Sequence, residues 1–134
     1  MLSISSRKPV AKEDCRSILG KIDFLLKVQR IADGVDQVEP LLEDLVDRIK
    51  GKEELCRQQI VDRFLALMED LDPWSLEIIQ YCMHEFRWAE ILERADDMYR
   101  HEVRVGKRRL YERLRESFDV TWPEREFFRR YSDL

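Results

Sequence analysis

Glycine, proline and histidine are scarce in this sequence of 134 residues, which contains four glycines, four prolines and two histidines. Because the glycines are scattered along the chain, no glycine-rich loop that could cradle a phosphate is present. No hydrophobic run approaches the ~20 residues that span a membrane, and the opening MLSISSRKPV lacks the apolar core of a secretory signal. We therefore expect no nucleotide-binding loop, no membrane segment and no signal peptide.

Sequence motifs of catalysis and metal binding are also missing. His84 and His101 belong to no His-Glu-x-x-His or Glu-x-x-His pattern, and no Gly-x-Ser-x-Gly turn occurs. Glu93, Asp97 and His101 are spaced by four and could bind a metal weakly from one helix face, but charges at this spacing are ordinary on exposed helices. The sequence therefore predicts no catalytic residue, no metal site and no cofactor.

The three cysteines, Cys15, Cys56 and Cys82, lie far apart and form no Cys-x-x-Cys pair. An odd number without such a pair speaks against a disulfide framework and against a zinc site. Since thiols stay reduced in the cytoplasm, we expect reduced cysteines and a cytoplasmic protein.

Hydrophobic spacing indicates the fold class. Hydrophobic residues make up 44% of the chain and charged residues 39%, and the hydrophobic ones recur at helical spacing with no stretch that alternates with period two. We predict one all-α domain over 1–134, with 1–11 and 133–134 frayed. About five to seven helices would form a bundle or a short stack of antiparallel helical hairpins.

Capping residues, glycines and prolines predict the helix boundaries. Asp72 can cap and Pro73 can open one helix, while Thr121 and Glu124 form a capping-box pattern that opens a short last helix. The segment 88–118 is one helix or two, with the favoured break at 103–106. The other helices are predicted over about 13–33, 40–51, 52–70 and 73–88.

The segment IIQYCMHEFRW, residues 78–88, places reactive side chains next to one another. On a helical wheel Cys82 falls on the apolar arc and His84 on the opposite arc, so the two cannot ligate one ion. Glu85 is the one acid inside a mostly apolar sector, where an unpaired carboxylate would be costly. The favoured interpretation pairs Glu85 at the edge of the core with an arginine of another helix, for example one in 100–115. The alternative is a catalytic acid, whose second group the sequence does not show.

Acidic residues dominate between Asp33 and Glu77, where thirteen acids face five bases. Asp36, Glu39, Glu43 and Asp47 recur at three- and four-residue steps, and Asp33 and Asp44 lie near them in the sequence. We call these six acids the acidic ridge. Such a ridge is either a solvated helix face or a surface that binds a basic partner protein through complementary charge.

Basic residues dominate 100–115, where seven bases face two acids. The candidate phosphate-binding residues, which we call the basic patch, are Arg100, Arg104, Lys107, Arg108, Arg109, Arg113 and Arg115. The aromatic residues that could stack on nucleic-acid bases beside them are Tyr99, Tyr111 and Trp122. The patch is either a nucleic-acid contact or a charged face above an apolar stripe. The overall pI of about 5.3 weakens the first interpretation without excluding it.

The segment MHEFRWAEI, Met83 to Ile91, resembles a segment of small bacterial helical proteins of HEAT-like character. Some of those proteins are similar to immunity proteins of toxin systems. The resemblance implies a fold of stacked helical hairpins, and it transfers no catalytic residue to this chain.

These observations predict a non-enzymatic protein-binding module, in particular an acidic inhibitor or immunity-type protein whose acidic ridge binds a basic partner. A nucleic-acid-associated helical protein that uses the basic patch is the alternative. An enzyme built around Glu85 and His84 ranks last. A homo-oligomer stays open, because the aromatic tail 122–131 could dock on its own core or on a second copy.

Overall fold

The computed structural model describes residues 2–32 and 34–132, and it describes side chains for 15–32, 34–35 and 37–132. Its α-helices are α1 Leu2–Ile31, α2 Val35–Met68, α3 Pro73–Phe86, α4 Ala89–His101 and α5 Val105–Glu116, and a 3-10 helix, Pro123–Phe127, follows them. No strand occurs in these residues, which confirms the all-α prediction. None of the helices in the described part of the chain is both long and apolar enough to cross a membrane.

α1 is longer than predicted, because it begins at Leu2 instead of near Glu13. The backbone is helical from Leu2 onward. The fraying of 1–11 stays a prediction, and 133–134 lie outside the described residues. Once a helix has nucleated, each added residue gains one backbone hydrogen bond, so a helix can extend beyond the segment that its sequence signals predict. The predicted apolar stripe is buried at Cys15, Ile18, Ile22 and Leu25.

α2 contains a kink at Lys52, whose φ of −130° and ψ of 17° leave the helical region. Three contacts join α1 to the chain after this kink at nearly constant sequence offsets: Cys15–Cys56 at 41, Asp23–Arg63 at 40 and Arg30–Asp72 at 72 − 30 = 42. A constant offset means that 53–68 runs parallel to α1. The segment 35–51 follows α1 after a short connection and therefore runs antiparallel to it. The chain thus reverses direction near Lys52, where the sequence predicted the end of one helix and the start of the next.

α3 begins and ends with clear local signals. The Asp72 carboxylate accepts a hydrogen bond from the Ser75 backbone N–H at 2.7 Å, and Pro73 occupies the first turn, as predicted. Arg87 ends the helix in the left-handed region, with φ of 52°. Most of α3 is buried, including Ile78, Ile79, Tyr81, Cys82 and Met83.

The remainder of the chain forms two helices and an irregular tail. α4 and α5 are separated by residues 102–104, so the break predicted within 88–118 is present. The predicted capping box is wrong, because Thr121 donates its hydroxyl to Asp119 at 2.8 Å and no side chain caps the 3-10 helix. Trp122 and Phe128 are both buried, which places the aromatic tail on the core of its own chain.

A disulfide joins Cys15 of α1 to Cys56, with 5.4 Å between the two Cα atoms. Our prediction of three reduced thiols is therefore wrong. The parallel packing of α1 and 53–68 brings together two cysteines whose separation in sequence carries no pairing signal. Cys82 is a free, buried cysteine, and burial raises the pKa of its thiol. Since disulfides persist mainly in oxidising compartments, the cysteines no longer support a cytoplasmic location.

Candidate functional site

The acidic ridge, the predicted partner-binding surface, lies mainly on 35–51. Asp33 and the side chain of Asp36 lie outside the described residues. The other four acids differ widely in exposure: Glu39 is 5% exposed, whereas the side chains of Glu43 and Asp47 are 45% and 65% exposed. The acidic ridge therefore consists of a buried carboxylate, that of Glu39, and an exposed surface that includes Glu43 and Asp47.

Glu39 is buried beneath the end of the chain, contrary to the sequence pattern that placed it on an exposed ridge. Its carboxylate accepts hydrogen bonds from the backbone N–H of Arg129 at 2.8 Å and of Arg130 at 2.9 Å. The Tyr81 hydroxyl donates a third bond at 3.1 Å. Hydrogen bonds of this kind allow a carboxylate to be buried. Glu39 thus anchors the C-terminal segment and is inaccessible to a partner while that segment is in place.

The guanidinium of Arg130 lies among three carboxylates. Its Nε is 3.1 Å from Glu85, and its Nη1 is 3.2 Å from Asp47 and 3.7 Å from Glu43. The Arg130 side chain is only 17% exposed. Two members of the acidic ridge therefore already bind a guanidinium, and it comes from the same chain.

Glu85, the unusual acid of α3, is paired at the edge of the core. The favoured interpretation expected an arginine partner, and the partners are Arg130 and Lys50, at 3.1 Å and 3.2 Å, not residues of 100–115. Burial by itself would raise the pKa of Glu85, but the hydrogen bonds from Arg130 and Lys50 outweigh it and lower that pKa below its usual value. A carboxylate held ionised in this way is a structural ion-pair partner.

Asp44 points toward α1 rather than toward Arg130. Its carboxylate pairs with Lys21 of α1 and, at 3.0 Å, with Arg48 one turn along its own helix. The hydrogen bond from Lys21 lowers the pKa of Asp44. The Asp44 side chain nevertheless keeps 42% of its surface exposed.

Residues 128–132, which we call the C-terminal strap, cover Glu39 and contact Glu43 and Asp47 of the acidic ridge. The rings of Phe128 and Tyr131 pack on Tyr81 with centroid separations of 5.1 Å and 4.9 Å. The Tyr131 hydroxyl donates to the Tyr81 carbonyl at 2.6 Å. Sequence reasoning missed this contact, although the run FFRRY combines two bases with aromatic neighbours and so complements an acidic surface.

His84 connects α3 to the tail of the chain. Its Nδ1–H donates to the Ser117 carbonyl at 2.9 Å, and its half-buried ring lies 5.0 Å from Trp122 and 4.6 Å from Tyr131 between centroids. Burial lowers the pKa of His84, and the nearby cations Arg87 and Arg125 lower it further, against opposing effects of the Ser117 carbonyl and Glu85. The neutral ring is thus the form that this packing favours.

We expect His84 to make the folded protein less stable as the pH falls from neutral. Its pKa in the folded chain is lower than the 6.5 of the unfolded chain. The stability it contributes is therefore present above pH 6.5 and is lost as the pH falls through the folded pKa. Urea unfolding between pH 7.5 and 5 should show a shallower loss of stability for His84→Asn, whose amide keeps a donor for Ser117, than for the wild type.

The exposed His101 provides the comparison variant. His101→Asn removes an exposed histidine and leaves His84 and its surroundings unchanged. The pH dependence of its stability should therefore follow that of the wild type more closely than His84→Asn does. Equal pH dependence of the wild type and His84→Asn would contradict this role of His84.

The basic patch is mostly neutralised within the chain. Its ion pairs are Arg104 with Glu102, Lys107 with Asp70, Arg109 with Glu112 and Glu116, Arg113 with Glu124, and Arg115 with Asp96. Arg100 and Arg108 are exposed, and the Arg108 guanidinium lies 4.8 Å from the Tyr99 ring centroid. Tyr111 and Trp122 are 1% and 0% exposed, so neither can stack on a nucleic-acid base. Stacking by Tyr111 and Trp122 is thus excluded, whereas phosphate binding by the basic residues stays a prediction.

The part of the chain that the structure describes contains no group of three potential ligands that could hold a metal ion. Of the predicted weak set on α4, His101 bonds to Asp97 instead, with Nδ1 at 2.8 Å from its carbonyl and 3.2 Å from its carboxylate. Both contacts are ordinary for residues one helical turn apart.

Comparison with family models, with curated proteins and with solved structures finds no match for this chain. The HEAT-like resemblance over Met83–Ile91 therefore stays a prediction. In the structure that segment contains the end of α3, the left-handed Arg87 and the start of α4.

Proposed function

We propose that this chain is a non-enzymatic protein-binding module that binds a basic partner protein through the exposed members of the acidic ridge, Glu43, Asp44 and Asp47. The acidic inhibitor or immunity-type protein expected from the sequence is the specific form of this proposal. One observation carries it: the surface around Glu43 and Asp47 already holds a guanidinium, that of Arg130.

Geometry and exposure support the proposal. The three carboxylates are fixed on one helical segment, 35–51, and their side chains keep 45%, 42% and 65% of their surface exposed. Charge-assisted hydrogen bonds from arginine to carboxylate are among the stronger polar contacts in proteins, and complementary charge accelerates encounter and rejects wrong partners. Glu39 leaves the set of contact residues because it is buried, whereas Asp33 and Asp36 stay in it on sequence grounds alone.

The test is capture of the partner with a variant that removes charge and preserves shape. Immobilised wild type should retain a basic protein from nuclease-treated lysate of its source, and Glu43→Gln/Asp47→Asn should lose it. For the purified partner we expect the double variant to weaken binding by about tenfold to a hundredfold. Calorimetry or surface plasmon resonance at two salt concentrations would measure this, with the wild-type affinity falling more steeply as salt rises.

The matched control is Glu54→Gln/Glu69→Gln, which makes the same change in net charge at two exposed acids outside the ridge. This variant should retain the partner as the wild type does. Retention of the same proteins by all three versions would contradict binding through the acidic ridge. Retention of partners only from lysate that has not been treated with nuclease would favour the basic patch instead.

A further inference from the structure

We propose that the C-terminal strap, residues 128–132, is a displaceable internal ligand of the acidic ridge, which an arginine-bearing segment of the partner replaces. This inference rests on the proposed function and adds to it a regulation and a partner chemistry. The surface would bind its partner only when the strap leaves, so the strap acts as an autoinhibitory contact.

The strap is held by contacts that resemble those of a bound peptide. Glu39 accepts two consecutive backbone N–H groups, of Arg129 and Arg130. The Arg130 guanidinium enters the cluster formed by Glu43, Asp47 and Glu85. None of these contacts requires that the strap belong to the same chain, because backbone N–H groups and a guanidinium are available in any arginine-bearing segment.

Two features make the strap displaceable. The 3-10 helix ends at Phe127, so the strap can leave without breaking any regular element of the described chain. Two of the three carboxylates that bind Arg130, Glu43 and Asp47, are substantially exposed, so water can solvate both of them when the guanidinium leaves.

The contacts of the strap also define the chemistry of the segment that would replace it. That segment should present an arginine to Glu43, Asp47 and Glu85, with the backbone N–H groups of the arginine and the preceding residue directed at Glu39. It should carry an aromatic residue next to the arginine, because Tyr131 packs on Tyr81 and bonds to its carbonyl. The partner is thus an arginine-bearing and aromatic segment of a protein, and a generally basic surface would fit less well.

The experiment uses a labelled synthetic peptide of sequence EFFRRYSDL, which copies residues 126–134. Its affinity is measured by fluorescence anisotropy for the wild type, for Arg130→Ala and for the exposed control Arg94→Ala. If the strap competes, the apparent affinity of the wild type is reduced by the small fraction of open molecules. We expect the peptide to bind Arg130→Ala about tenfold more tightly than the wild type or Arg94→Ala. A peptide with alanine at its second arginine should lose this preference.

A second measurement does not depend on the folding of any variant. In the isotope-labelled wild type, the amides of Arg129 and Arg130 should exchange with solvent faster when unlabelled peptide is present, because the peptide takes their place at Glu39. Equal peptide affinity for wild type and folded Arg130→Ala, or unchanged exchange at saturating peptide, would overturn the proposal.

The two proposals can fail separately. The peptide experiment does not involve the natural partner, so a strap that never exchanges leaves the binding of a partner at Glu43 and Asp47 untouched. Conversely, a capture experiment with no dependence on Glu43 and Asp47 removes the proposed function even where the strap exchanges with peptide.

Discussion

Loss of the Cys15–Cys56 disulfide is expected to lower the free energy of unfolding by about 4 kcal/mol. The bond closes a loop with a sequence separation of 41, and the chain-entropy relation gives about that value for a loop of this length. For a chain of this size the melting temperature should fall by roughly 10–20 °C. The change to make is Cys15→Ala/Cys56→Ala, and the measurement is chemical and thermal unfolding against the wild type.

Reductant provides the control for this disulfide. It should destabilise the wild type and leave Cys15→Ala/Cys56→Ala unchanged, since Cys82 has no disulfide partner. Thiol titration of the denatured, unreduced wild type should find one reactive cysteine per chain. Three reactive thiols in protein purified without reductant, together with equal stability of the two proteins, would contradict the disulfide.

Replacement of Glu39 by glutamine is the second change with a large expected effect, a loss of about 2–3 kcal/mol of stability. The carboxylate faces three donors, the N–H groups of Arg129 and Arg130 and the Tyr81 hydroxyl. The amide of glutamine has only one oxygen, so its NH2 group must face at least one donor. A buried donor without an acceptor costs on the order of 1–3 kcal/mol. Urea unfolding would measure the loss.

Glu43→Gln is the matched control, because Glu43 lies one turn from Glu39 on the same helix and is half-exposed. Its effect should stay within about 0.5–1 kcal/mol, the range for exposed ion pairs. A double-mutant cycle with Tyr81→Phe should show coupling to Glu39→Gln, since the two side chains share a hydrogen bond. Equal effects of Glu39→Gln and Glu43→Gln would contradict the burial of Glu39.

Local signals predicted most of the helices. Asp72 and Pro73 start α3, and a break falls at 102–104, close to the predicted one. These features depend on residues adjacent in sequence, where capping and the fixed φ of proline act directly. The Thr121 capping box failed for a related reason, because Asp119 was a nearer competing partner for the same hydroxyl.

The candidate site was predicted less completely, since its geometry depends on contacts between distant residues. Glu39 fits the acidic periodicity of its helix, and no local pattern shows that residues ninety positions later cover it. Glu85 was identified as an acid that needs a partner, but the wheel of one helix could not identify Arg130, which lies 45 residues away. Helical periodicity describes one face of one helix and carries no information about what packs on it.

The sequence by itself determined the all-α class, the Asp72 cap of α3, the acidic ridge and the absence of common catalytic motifs, because each follows from composition or from neighbours along the chain. Only the tertiary structure decided that Cys15 meets Cys56, that Arg130 pairs with Glu85, and that the ridge is divided into a buried anchor and an exposed surface. The physical reason is the reversal of the chain near Lys52 and the return of the tail over 35–51. Both bring residues that are distant in sequence within bonding distance. They do so through burial of apolar side chains, which has no preferred direction, so no residue spacing in the sequence reveals these contacts.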